Sequence, residues 1–115
     1  MSQSTTLLLV LLLSVVAINH LPVVSCNRQW CMAMWTASNE QLQANIDYCC
    51  SNGVDCTPIQ PGGICYNPNT LLDHASYAMN AYYQSHGRIE DSCDFNRTGC
   101  WVFVDPSHDT CIYFT

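Results

Sequence analysis

The stretch that decides the fold is Cys65–Gly87, CYNPNTLLDHASYAMNAYYQSHG. It reads as a helix that begins near Pro68-Asn69 and stops at Gly87. At about 100° per residue, Leu71, Leu72, Ala75, Ala78, Met79, Tyr82 and Tyr83 fall within an arc of about 140°, wide enough to be a core stripe. Asp73, Tyr77, Asn80 and Gln84 stack as a row on the other side. The pattern predicts one ring and three hydrogen-bonding groups along an exposed face. Tyr82 and Tyr83 are assigned to packing, whereas Tyr77 stands among polar groups. His74 and His86, at the edges of the arc, read as packing or capping groups.

Upstream lies a second helix, SNEQLQANIDYCCSNG, from Ser38. Ser38 with Gln41 three residues later is a capping-box pattern, and Asn52-Gly53 supplies a left-handed stop. Leu42, Ile46 and Cys49 share its apolar face. Between the helices, DCTPIQPGGIC is a loop stiffened by proline and turned by glycine. WCMAMW, from Trp30, is an apolar start pinned by a cysteine. TGCWVFVDPSHDTCIYF, from Thr98, has β-rich residues on both sides of a proline-containing turn and predicts a hairpin of CWVFV against TCIYF.

The ends and the composition bound the function. Leu7–Ile18 is almost wholly apolar, too short to span a bilayer and followed by Pro22 and Ser25, which predicts a secretory signal peptide over residues 1–25. Cutting after Cys26 is the alternative. Either leaves one thin-cored domain of about 90 residues, which needs staples. All nine cysteines lie at or after Cys26, the pattern of a disulfide scaffold in an oxidising compartment. There is no CxxC pair, and Cys50 and Cys56 are too widely spaced for a zinc knuckle, so no metal is expected. Three arginines, no lysine and nine acids give a net charge of −6, which argues against nucleic acid and anionic membranes. Asn96-Arg97-Thr98 is a glycosylation sequon. No lipid-anchor signal follows Cys111, and a soluble, monomeric, secreted protein without a membrane anchor is expected.

Six of the cysteines frame a recognisable pattern: Trp30-Cys31, Cys50, Cys56, Cys65, Cys93 and Cys111. Between them run LQANIDYCC, DCTPIQPGGICYNPNT, HASYAMNAYYQ, CDF and DPSHDTCIY. This resembles carbohydrate-binding module family 43, the X8 domain of plants, over residues 29–113. The resemblance implies an α+β, small disulfide-rich domain, with two packed α-helices and a short antiparallel β-sheet. It implies three bridges, Cys31 with Cys93, Cys50 with Cys56 and Cys65 with Cys111. Spacing alone leaves all 15 connectivities of six cysteines open. It also implies a non-catalytic binder of cell-wall β-1,3-glucan, such as callose or laminarin, with no cofactor. The chain departs from the family at Met79, at the additional Cys26, Cys49 and Cys100, at Asn96-Arg97 and at Trp101.

Sugar binding in water needs flat rings for the apolar faces of pyranoses and planar polar groups for the hydroxyls. Asp73, Tyr77, Asn80 and Gln84 have that composition, and Trp101 is either a second platform or core. The plainer alternative is a solvated helix face with Tyr77 packed sideways on a loop. A glycosidase would need a carboxylate pair across a cleft, with Asp73, Asp94, Asp105 and Asp109 as candidates. Asp94 follows a bridged cysteine and Asp105-Pro106-Ser107 is a turn signature, so structural roles are favoured. A structural or interaction protein of the cell wall is a further alternative. Adjacent Cys49-Cys50 suits a lipid-transfer protein, but the Cys-x-Cys pair of that class is missing. If cleavage removes Cys26, eight cysteines remain, and Cys49 with Cys100 makes a fourth bridge. Otherwise Cys49 is an inert buried thiol.

Overall fold

In the computed structural model the described residues are 29–115; the expected leader and Cys26 lie outside them. The elements are β1 (Trp30–Ala33), α1 (Asn39–Ser51), a 3-10 turn (Thr57–Ile59), α2 (Leu71–Ser85), a one-turn α3 (Asp91–Asp94) and β2 (Gly99–Val102). β1 and β2 pair antiparallel, Trp30 opposite Val102 and Ala33 opposite Gly99. The architecture is the expected α+β, with α1 and strand β1 of the sheet both packed on α2.

Local sequence starts and stops both long helices. Ser38 caps α1 with both bonds of the capping box: its Oγ accepts from Gln41 N at 3.1 Å, and its own N donates to Gln41 Oε1 at 2.9 Å. Asn52 closes that helix before Gly53, whose φ is +97°. Thr70 caps α2 by accepting from Asp73 N at 3.1 Å. His86 caps its far end, Nδ1 lying 2.8 Å from the Tyr82 carbonyl. His74 stacks on Tyr66 and meets its carbonyl at 2.7 Å. Both histidines therefore pack or cap.

Three bridges fasten the elements: Cys31–Cys93 ties β1 to α3, Cys50–Cys56 closes the end of α1, and Cys65–Cys111 ties the C-terminal segment to the loop that precedes α2. This is the pairing the resemblance implies. Removing one bridge from so small a domain costs about 2–5 kcal/mol, comparable with what its core supplies. Cys49 and Cys100 are free thiols, so the fourth bridge is not formed. Cys49 is fully buried in the core, while Cys100 sits on β2 opposite Met32.

The exposed row on α2 is corrected. Every residue from Ala75 to Ala81 is buried, Tyr77 and Asn80 included. The polar residues face a strand instead of water. Ser76 Oγ accepts from Ala33 N at 3.0 Å, and Asn80 Oδ1 accepts from Cys31 N at 3.0 Å. Gln84 Nε2 donates to Gln29 O at 2.8 Å. Four helical residues rise about 6.0 Å and two strand residues about 6.6 Å, so side chains four apart on α2 meet every second backbone group of β1. Asn80 Nδ2 also donates to Phe114 O at 2.9 Å. These buried amides and hydroxyls satisfy backbone groups that would otherwise be stranded.

The C-terminal hairpin is corrected as well. β2 pairs with β1, and the segment opposite contributes only a bridge between His108 and Cys111. Asp105 Oδ1 accepts from Ser107 N at 2.8 Å and Asp109 has φ +50°, so this stretch curls instead of pairing. The Cys65–Cys111 bridge then carries buried Tyr113 into the core.

Candidate functional site

Three elements meet around a groove of about 480 Å³ lined by Ala44, Asn45 and Tyr48 of α1, Tyr82 of α2, and Asp91, Asp94, Phe95 and Asn96. Asn45 fixes the distance between α1 and the turn after α3. Its Nδ2 donates to Thr98 Oγ1 at 2.8 Å, and that hydroxyl donates in turn to Phe95 O at 2.6 Å. Tyr48 and Tyr82 form the aromatic wall, with ring centroids 5.4 Å apart and hydroxyls 3.3 Å apart. Tyr82 is held from behind by stacking on His86 at 3.7 Å and by the edge of Phe95 at 5.6 Å. Tyr48 is half-exposed. The Tyr48 hydroxyl, and then partial burial, hold the Tyr82 phenol above its ordinary value. Rings and polar groups stand side by side, with exposed carboxylates at Asp91 and Asp94 and an exposed amide at Asn96.

A second groove of about 430 Å³ lies elsewhere along α2, lined among others by Asp55, Tyr77, Gln84, Ser85, Phe114 and Thr115. Tyr77 meets Tyr113 edge-on at 5.5 Å and Phe114 at 6.3 Å. Burial, and then the Asp55 charge, raise its phenol above the ordinary value. Gln84 Oε1 is buried there without a hydrogen-bond partner among the described residues. A shallower hollow of about 130 Å³ beside Trp101 is lined by Glu90, Cys93 and Asp94.

The X8 domain model matches residues 29–100. The major pollen allergen Ole e 10 of Olea europaea is 50% identical over 95 residues, covering 82% of this chain and 77% of that protein. The chain belongs to the X8 domain family. A glucan endo-1,3-beta-D-glucosidase of Olea europaea is 46% identical over 90 residues, 78% of this chain and 20% of the enzyme. Plasmodesmata callose-binding protein 2 of Arabidopsis thaliana is 38% identical over 84 residues, 73% of this chain and 43% of that protein. The chain thus spans most of the allergen and only a fifth of the olive glucosidase.

Within this X8 domain the residues named from sequence are scattered. Tyr77 and Gln84 share the second groove, Asn80 is buried under β1, and Trp101 stands on β2 in the third hollow. Asp73 accepts from the Thr70 hydroxyl at the start of α2. Of the candidate acids, Asp73 braces the cap of α2 and Asp105 holds a turn, while Asp94 lines two hollows. Sequence reading missed Tyr48, Asn45, Asp91 and Phe95, and it assigned Tyr82 to the core. The available signal was tyrosine at the rim of the α2 arc, a residue whose ring packs while its hydroxyl reaches water.

Proposed function

We propose that this X8 domain binds cell-wall β-1,3-glucan, of callose or laminarin type, in the groove walled by Tyr48 and Tyr82, and does not cleave it. The observation that carries the proposal is the partly exposed ring pair beside unburied amide and carboxylate groups. Pyranose faces stack on such rings and hydroxyls pair with such groups. The relatives support the ligand class, since their names speak of 1,3-glucan hydrolysis and of callose binding. The part shared with the glucosidase is too small a share of it to bring its catalysis along. Hydrolysis would need two carboxylates about 5–10 Å apart across the scissile bond. Asp73 is tied to the cap of α2 and Asp105 to a turn, and the groove's own Asp91 and Asp94 come from one helical turn instead of from facing walls, which speaks against all four. The reading includes a secreted monomer, delivered by the leader of residues 1–25 to the cell wall, with residues 29–113 as the binding domain.

Calorimetric titration with laminarin tests the groove. Tyr48→Ala with Tyr82→Ala should weaken binding by about 2 kcal/mol, roughly thirtyfold, at about 1 kcal/mol per ring. Circular dichroism checks the fold, and Tyr48→Ala alone should keep it, because that ring is half-exposed. The second groove is the competing reading, favoured by the position of Tyr77 and Gln84; Phe114→Ala reports on it, and Trp101→Ala on the third hollow. Parent-like binding by the folded Tyr48 variant, with loss in Phe114→Ala, moves the site there. Release of reducing ends from laminarin would refute the non-catalytic reading.

A further inference from the structure

We infer that Asn96 carries an N-linked glycan, attached before the chain folds, which closes one end of the Tyr48–Tyr82 groove and limits what it holds. The inference rests on the groove reading above only for its effect on glucan. Asn96 is exposed, lines the groove next to Phe95 and Asp94, and its side-chain amide makes no hydrogen bond to any described residue. The other essential residue of the sequon is placed oppositely. Thr98 is buried at 5% exposure, and its hydroxyl both donates to Phe95 O and accepts from Asn45 Nδ2.

The transferring enzyme reads Asn-x-Thr through that hydroxyl. In the fold the hydroxyl is spent. Phe95, Asn96 and Arg97 also have φ of +46°, +52° and +66°, a left-handed turn instead of an extended segment. The Asn45 bond spans two distant parts of the chain and closes only when α1 docks. The acceptor is therefore competent in the unfolded chain and hidden afterwards. The donor class is a lipid-diphosphate-linked oligosaccharide. The Asn96 Nδ2–sugar C1 bond forms and the C1–oxygen bond to the diphosphate breaks. The lipid diphosphate leaves with the electron pair, and the amide gives up one proton. The exposed amide leaves room for the sugar once folding is complete. The first saccharide then stands at the rim, over the end of the groove that Phe95 and Asp94 define.

The chain is secreted from plant cells as parent and as Asn96→Gln, and both are peptide-mapped by mass. Tyr48 is nitrated with tetranitromethane, and laminarin is titrated. The expected result is a glycan on Asn96, slower nitration of Tyr48 in the parent, and about fivefold weaker laminarin binding than in Asn96→Gln, the equivalent of losing one ring contact. A bare Asn96 in the secreted parent overturns the inference. A glycan that changes neither nitration nor affinity overturns its role at the groove. If nitration differs and neither form binds laminarin, the glycan stands at the groove as inferred and the glucan reading fails. For the order of events, solubilised oligosaccharyltransferase with its lipid donor should modify the reduced, alkylated chain and leave the oxidised fold bare. Equal modification of both overturns that order.

Discussion

Replacing Asn80 by alanine separates two roles that the sequence alone confuses. In the fold this side chain accepts from Cys31 N at 3.0 Å and donates to Phe114 O at 2.9 Å. The Cys31 N–H is buried at the β1 edge, and orphaning such a donor costs about 1–3 kcal/mol. The Phe114 carbonyl belongs to an exposed residue and can turn to water, so that bond adds about 1 kcal/mol. The sum is about 2–4 kcal/mol, which for a domain of this size lowers the melting temperature by about 10–25 °C. Thermal denaturation followed by circular dichroism, with the bridges intact, reads this directly. Asn80→Asp keeps the acceptor toward Cys31 but sets a carboxylate against the Phe114 carbonyl. It should be at least as damaging at neutral pH and recover in part under acid, where the protonated group donates again. A melting point for Asn80→Ala within about 2 °C of the parent, coupled with weaker laminarin binding, would refute the buried clamp and restore Asn80 to an exposed ligand row.

Gly99→Ala should cost about 3 kcal/mol, the upper end for overpacking, because the added Cβ would lie 1.9 Å from the Cys93 carbonyl oxygen; an unchanged urea midpoint would contradict the close approach of β2 to α3. Burial pushes the Cys49 thiol up to about 12, so iodoacetamide at pH 8 should label Cys100 in the native chain and reach Cys49 only after guanidinium unfolding; equal labelling of both would show that Cys49 is not enclosed. The His108 ring nitrogens face the carbonyls of Pro106 at 3.1 Å and Asn67 at 3.2 Å, which accept only, so these bonds, helped by Asp109 and Asp73, raise its value above 6.5. The folded state then holds the proton more tightly: its stabilisation is full below pH 6.5 and is lost as pH rises through the raised folded value. Melting temperature should fall across that window in the parent and less in His108→Gln; identical slopes would remove His108 as the cause.

The legible parts of this fold were the local ones. Ser38 and Gln41 announce the start of α1 because both partners of the capping box lie within one turn. Gly53 marks its end, since a positive φ suits glycine. The cysteine pairing was legible through family resemblance, because spacing cannot choose among connectivities. The polar side of α2 misled, since Ser76, Asn80 and Gln84 look the same in a sequence whether their partners are water or the backbone of a distant strand. The second strand misled for a related reason: β-rich residues at Cys100–Val102 state a preference for pairing, but not with whom. The candidate groove was hardest to see. Asn45 and Tyr48, Tyr82, and Asp91 with Asp94 come from three helices, and none forms a motif by itself.

The stripe on α2 also governs what the sheet may join. A two-stranded sheet normally offers outer rows of unpaired donors and acceptors, a template onto which another chain can lay a strand. Along β1 the outward donors are already taken: Ser76 and Asn80 hold the Ala33 and Cys31 N–H groups, and just ahead of the strand Gln84 holds the Gln29 carbonyl. A helix thus stands in the place of a third strand. The pitch mismatch of roughly half an ångström per step lets that imitation run for only a few contacts, and β1 is only four residues long. The shortness of the sheet and the occupied donors at this edge have the same origin, a helix whose polar side chains fit one short strand.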